Sequence, residues 1–89
     1  MLKTYKLVLA GQQIRLTKND QQDAKLYING QKQTLIKQSF KNRTNYLAKL
    51  EKMGDFIISQ VTTKLGQEIR FYLKSAGQSQ LLFKAKSYA

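Results

Sequence analysis

A mostly β fold of about seven short antiparallel strands and one short helix is what the sequence predicts, in a compact barrel or a strongly bent sheet with the helix across it. Apolar and polar residues alternate with a period of two along most of the chain, turn signals separate these stretches, and one segment changes to helical spacing. No proline interrupts the sequence and no composition break divides it, so residues 1–89 read as one domain.

The first alternation is Tyr5-Lys6-Leu7-Val8-Leu9-Ala10, and Gln13-Ile14-Arg15-Leu16-Thr17 follows Gly11-Gln12. Glycine at the first central position suits a type II′ turn. Closing the hairpin there pairs Leu9 with Ile14 and Leu7 with Leu16, with Val8 opposite Arg15 on the other face. Lys18 to Asp23 reads as a polar loop containing Asn19-Asp20. A short strand, Ala24 to Ile28, then meets Asn29-Gly30, a dipeptide suited to a type I′ turn because both central residues need positive φ. The returning strand would run from Gln31 to about Lys37, placing Lys32 and Thr34 opposite Tyr27 and Lys25.

From Asn42 to Met53 the apolar residues Tyr46, Leu47, Leu50 and Met53 fall at helical spacing. Lys49 and Lys52 sit in the last turns, Gly54 is placed to end the helix, and Asn42 or Thr44 can cap its start. An alternating strand through Ala48 and Leu50 competes for the same residues. Phe56-Ile57-Ile58 is apolar on successive residues, which predicts a central strand covered on both faces, with the preceding helix as the cover.

Glu68 to Lys74 and Leu81 to Lys86 alternate cleanly around Ser75-Ala76-Gly77-Gln78-Ser79 and form the last hairpin. Pairing Leu73 with Leu81, Phe71 with Phe83 and Ile69 with Ala85 puts Arg70, Tyr72, Lys74, Leu82, Lys84 and Lys86 on the opposite face. A short pattern recurs: Gly11-Gln12-Gln13-Ile14-Arg15-Leu16 resembles Gly66-Gln67-Glu68-Ile69-Arg70-Phe71, and Leu26-Tyr27 parallels Leu82-Phe83. Gly-turn-strand patterns of this kind are common in β proteins.

The composition excludes most chemistry. With neither cysteine nor histidine, there are no disulfides, no thiolate or zinc-ribbon sites, and no usual general base for neutral pH. The five carboxylates, Asp20, Asp23, Glu51, Asp55 and Glu68, are scattered, and Asp20 with Asp23 lacks the rest of a calcium loop. No glycine-rich phosphate-binding motif occurs. A small basic ribonuclease using Lys, Arg and Tyr is the enzyme class the composition permits, but no spacing singles out such a set. The chain is therefore expected to be non-enzymatic, with no catalytic residue, metal or small-molecule cofactor. Apolar runs fall short of the ~18–20 residues of a membrane span, and the first ten residues lack the apolar block of a signal peptide. A soluble protein with the cytoplasm as its default setting is the expectation.

Sixteen basic residues against five acidic ones leave a net charge of +11, which attracts polyanions. The sequence offers three surfaces for one. The leading candidate is the last hairpin, where Arg70, Tyr72 and Lys74 lie beside Lys84 and Lys86, and Tyr88 extends the line if the strand continues; cations can neutralise phosphates while the ring stacks on a base. Lys25, Tyr27 and Lys32 on the Asn-Gly hairpin form a second cluster, and Lys37, Lys41 and Arg43 before the expected helix form a third. The leading expectation is a module binding DNA or RNA with little sequence specificity. The alternative is a subunit or inhibitor, of the kind mobile elements encode, that docks its basic face on an acidic protein.

Overall fold

In the computed structural model, which describes residues 2–19, 22–50 and 53–88, nine antiparallel strands make two sheets. The chain divides into two compact units, Met1–Leu35 and Ile36–Ala89. The N-terminal unit holds β1 (Leu2–Leu9), β2 (Gln12–Asn19), β3 (Lys25–Ile28) and β4 (Gln31–Gln33), paired in that order. The C-terminal unit holds β5 (Ile36–Ser39), β6 (Arg43–Leu50), β7 (Gly54–Thr63), β8 (Gly66–Ser75) and β9 (Gln78–Tyr88), also in chain order. Each sheet is open, with two edge strands, so the expected barrel does not form. No helix occurs among the described residues, and thus none that could cross a membrane.

The first hairpin corrects the sequence reading by two residues. Its turn is Ala10-Gly11, both at positive φ, so Leu7 faces Ile14, Tyr5 faces Leu16 and Lys6 faces Arg15. Types I′ and II′ both match the strand twist, so turn type alone does not choose between them; the observed register accepts the strain of a left-handed alanine and pairs Leu2–Leu9 with the whole of Gln12–Asn19. A slip of two preserves side-chain parity, so Ile14 and Leu16 still point to the buried face, with Leu26 beside them. Burial on this face raises the pKa of the Tyr5 phenol. The Asn29-Gly30 turn forms as expected, at φ 51° and 83°. Asn29 also ties it to the neighbouring strand: its N–H donates to the Gln13 carbonyl (2.8 Å) and its Oδ1 accepts from the Gln13 N–H (2.9 Å).

The strand expected from Gln31 to Lys37 is broken. Its partner β3 starts at Lys25, so pairing stops at Gln33 opposite Leu26, and Ile36–Ser39 joins the other sheet. The expected loop from Lys18 is shorter at its start, since β2 continues through Asn19. Asp20 of that loop and Lys52 of the expected helix lie outside the described residues.

Where helical spacing predicted a helix, β6 is a strand. Tyr46 and Ala48 are buried on its inner face, paired with Ile58 and Phe56, while Leu47 turns to the other face opposite Ile57. The segment carries both periods, and β7 decides between them by offering a full ladder of hydrogen bonds from Arg43 to Leu50. As expected, β7 is the central strand, but no helix covers it: Phe56 and Ile58 are completely buried, whereas Ile57 is partly exposed. Gly54, at φ +106°, begins β7 where an added Cβ would lie 2.3 Å from the Lys74 carbonyl oxygen, so a larger residue cannot sit there without moving β8.

The last hairpin keeps Phe71 opposite Phe83 and Ile69 opposite Ala85. A bulge beside Phe71 and Tyr72 then shifts the register, so Leu81 faces Tyr72, Leu73 faces Gln80 instead of Leu81, and the turn tightens to Ala76-Gly77. The recurring pattern places Ile14 and Leu16 as it places Ile69 and Phe71, on buried faces, with Arg15 and Arg70 on open ones. The parallel of Leu26-Tyr27 with Leu82-Phe83 does not extend to the fold, because Tyr27 lies on the open face and Phe83 stacks on Phe71 at 5.2 Å.

Candidate nucleic-acid interface

Arg70, Tyr72 and Lys74 share a face of β8 by alternation, and the register sets Lys84 opposite Arg70. The same alternation brings Glu68 to that face, opposite Lys86. The Arg70 Nε donates to the Glu68 carboxylate at 2.6 Å, Lys84 Nζ approaches it to 3.4 Å, and Arg70 Nη1 donates to the Tyr72 hydroxyl at 3.3 Å. Glu68 is only 7% exposed beneath these groups. The Arg70 hydrogen bond lowers the carboxyl's pKa, with Lys84 assisting against desolvation, and the same contact makes Arg70 hold its proton more firmly. Arg70 and Lys84 are thus engaged with an internal carboxylate and Arg70 also with the tyrosine, while Lys74, Lys84 and Lys86 stand exposed. The strand does continue through Tyr88, whose side chain lies outside the described residues.

This network makes stability depend on acid. Because the folded-state pKa of Glu68 is depressed, the unfolded chain takes up the proton at higher pH. The contribution is complete above the ordinary carboxylate range and is lost as pH falls through that range toward the lowered value. Wild-type thermal midpoints followed from neutral pH into acid are expected to fall more steeply than those of Glu68→Gln. Parallel curves would mean that Glu68 is not clamped in solution.

The N-terminal sheet gathers a different set. Tyr27 faces Lys32 as the sequence suggests, and Lys25 shares their face. The pairing adds two residues that the sequence reading did not join to them: Lys6 faces Arg15, and Arg15 faces Tyr27. Lys6, Arg15, Tyr27 and Lys32 therefore form one row across all four strands, about 14 Å long at the usual strand spacing. The Arg15 guanidinium lies over the Tyr27 ring, 4.5 Å from its centroid. Beside this row Thr4, Thr17 and Lys25 make a second one, and together with Lys6, Arg15 and Tyr27 they line a hollow that Asp23 also lines. Among the described residues, none of Lys6, Arg15, Lys25 and Lys32 is ion-paired.

The third group does not precede a helix. Lys37 lies on β5, Lys41 in the β5–β6 turn and Arg43 at the start of β6, all exposed, with Lys37 and Arg43 on opposite faces of the sheet. The three candidate groups are thus distributed over separate strands and faces. No protein-family model, curated protein or solved structure matches the chain.

Proposed function

We propose that the chain binds nucleic acid with little sequence specificity through the open face of its N-terminal sheet. The observation that supports this reading is the row Lys6, Arg15, Tyr27 and Lys32, with Lys25 beside it: cations without acidic partners surrounding one stacked aromatic. The lysines and Arg15 neutralise phosphates, while the Tyr27 ring and the Arg15 plane offer flat surfaces on which a base can stack. Backbone charge and stacking are common to all sequences, so such a site discriminates little among them. The C-terminal hairpin is a weaker candidate because Glu68 neutralises its centre.

Four phosphate contacts predict a log–log salt slope of about −3 to −4. Fluorescence anisotropy of labelled single-stranded and duplex oligonucleotides, titrated over a range of salt, measures it. Absence of binding at low salt, or affinity independent of salt, rejects the reading.

A second reading, docking to an acidic protein, is favoured by one observation. Ile36, Leu47, Ile57, Tyr72 and Leu81 align across all five strands of the C-terminal sheet, beside Lys84 and beside Lys49 and Lys74, which have Asp55 between them. A stoichiometric protein complex that survives nuclease and depends on Leu47 and Ile57 would support it.

A further inference from the structure

The register of the C-terminal sheet brings two hairpin tips to one end. The β5–β6 turn, Lys41-Asn42, is closed by the Phe40 N–H donating to the Arg43 carbonyl at 2.7 Å. It is held against β7 by the Thr62 N–H donating to the Asn42 carbonyl at 2.9 Å. The β7–β8 turn, Lys64-Leu65, is braced by Thr63, whose Oγ1 accepts from the Leu65 N–H at 3.3 Å and donates to the Gly66 carbonyl at 3.1 Å. These short, hydrogen-bonded tips hold out two large apolar side chains: Phe40 is 58% exposed and Leu65 71%.

Cations surround them. Lys41, Arg43 and Lys64 are exposed at the tips, and Lys86 joins them because β9 faces Glu68 there and β7 faces it with Val61. Among the described residues, the carboxylate the register brings to this end is Glu68, buried and already paired with Arg70 and Lys84. The hollow beside the second tip is lined by Lys64, Leu65 and Lys86, together with Glu68.

We infer that this end of the C-terminal unit docks on an anionic phospholipid surface, with Phe40 and Leu65 entering the interface and Lys41, Arg43, Lys64 and Lys86 meeting the headgroups. Two separate apolar tips offer little continuous apolar area for a folded partner to cover. A fluid bilayer needs no such area, gains apolar contact from each inserted side chain, and supplies the negative charge that the surrounding cations lack. Nucleic acid would use the same cations, but an aliphatic Leu65 gains contact there only by wedging between bases, at the cost of unstacking them. This inference is independent of the nucleic-acid reading, which rests on the other unit.

The experiment is co-sedimentation of the full chain with phosphatidylcholine vesicles, with and without phosphatidylserine. The protein is expected to pellet only with the anionic vesicles, and Phe40→Ser combined with Leu65→Ser to weaken partition at least ~10-fold although no charge changes. Because the chain has no tryptophan, Leu65→Trp supplies a single reporter, whose emission should shift to the blue on anionic vesicles but not on neutral ones. Wild-type protein left in the supernatant at low salt, or an unmoved Leu65→Trp emission, overturns the inference. So does a double serine variant that partitions like wild type. Loss of RNA binding by that variant, without vesicle binding by wild type, would reassign the tips to nucleic acid.

Discussion

Phe71→Ala is expected to lower the unfolding free energy by about 3–5 kcal/mol, the usual cost of emptying a buried aromatic site. Phe71 is 1% exposed on β8, with the Phe56 ring 5.7 Å away and the Phe83 ring 5.2 Å away, so it joins the central strand to the edge strand β9. In a close-packed interior the neighbours relax only partly into such a space. Part of the loss is the transfer of the ring and part is the cavity it leaves. Urea titration of the two proteins measures the difference. A loss below about 1 kcal/mol would place Phe71 outside the core and invert the inside–outside assignment of the whole C-terminal sheet.

Reversing charge at two positions of the N-terminal row is expected to reduce nucleic-acid affinity by at least about 100-fold at low salt. Lys6→Glu with Arg15→Glu removes two phosphate contacts, adds two repulsions and strips the guanidinium from Tyr27; charge-assisted contacts of about 1.5 kcal/mol each already account for that factor. Both side chains are exposed and lie opposite one another on the open face, so the fold should survive, less a cation–π contact of about 0.5–1 kcal/mol. Anisotropy titration with circular dichroism as a check on folding measures both effects. Unchanged affinity in a folded double variant would remove the row from the site. The corresponding reversal at Arg70 is a poorer probe, because it would set a second carboxylate against Glu68 and disturb the sheet itself.

Side-chain parity was the most legible property of this sequence. Period-two alternation identified Ile14, Leu16, Ile69 and Phe71 as inward-facing, and all four are buried. Register was less legible, since a slip of two leaves every side chain on its own face and so costs nothing in apolar matching. That degeneracy hid the pairing of Lys6 with Arg15, and with it the row that now makes the N-terminal face a candidate. The helix expected at Asn42–Met53 has a related origin: Tyr46 and Leu50 satisfy either period, Leu47 supports one and Ala48 the other, and only the non-local ladder to β7 breaks the tie. Glu68 was different. Its place two residues before Arg70 on an alternating strand puts the two on one face, but its burial depends on β7 and β9 flanking it, a non-local arrangement that the strand's own pattern does not carry.

The order of strands has a consequence for how quickly the chain reaches this structure. Within each sheet every strand pairs only with strands next to it in sequence. Pairing can therefore spread outward from tight turns such as Ala10-Gly11, Asn29-Gly30 and Ala76-Gly77 without a long loop first being closed at an entropic loss. A hairpin formed two residues out of step can also correct itself by reptation about its own turn, leaving its neighbours in place. For a protein made almost wholly of strands, search time is thus set by hairpin closure, a microsecond-scale event, followed by consolidation of the aromatic cluster around Phe71.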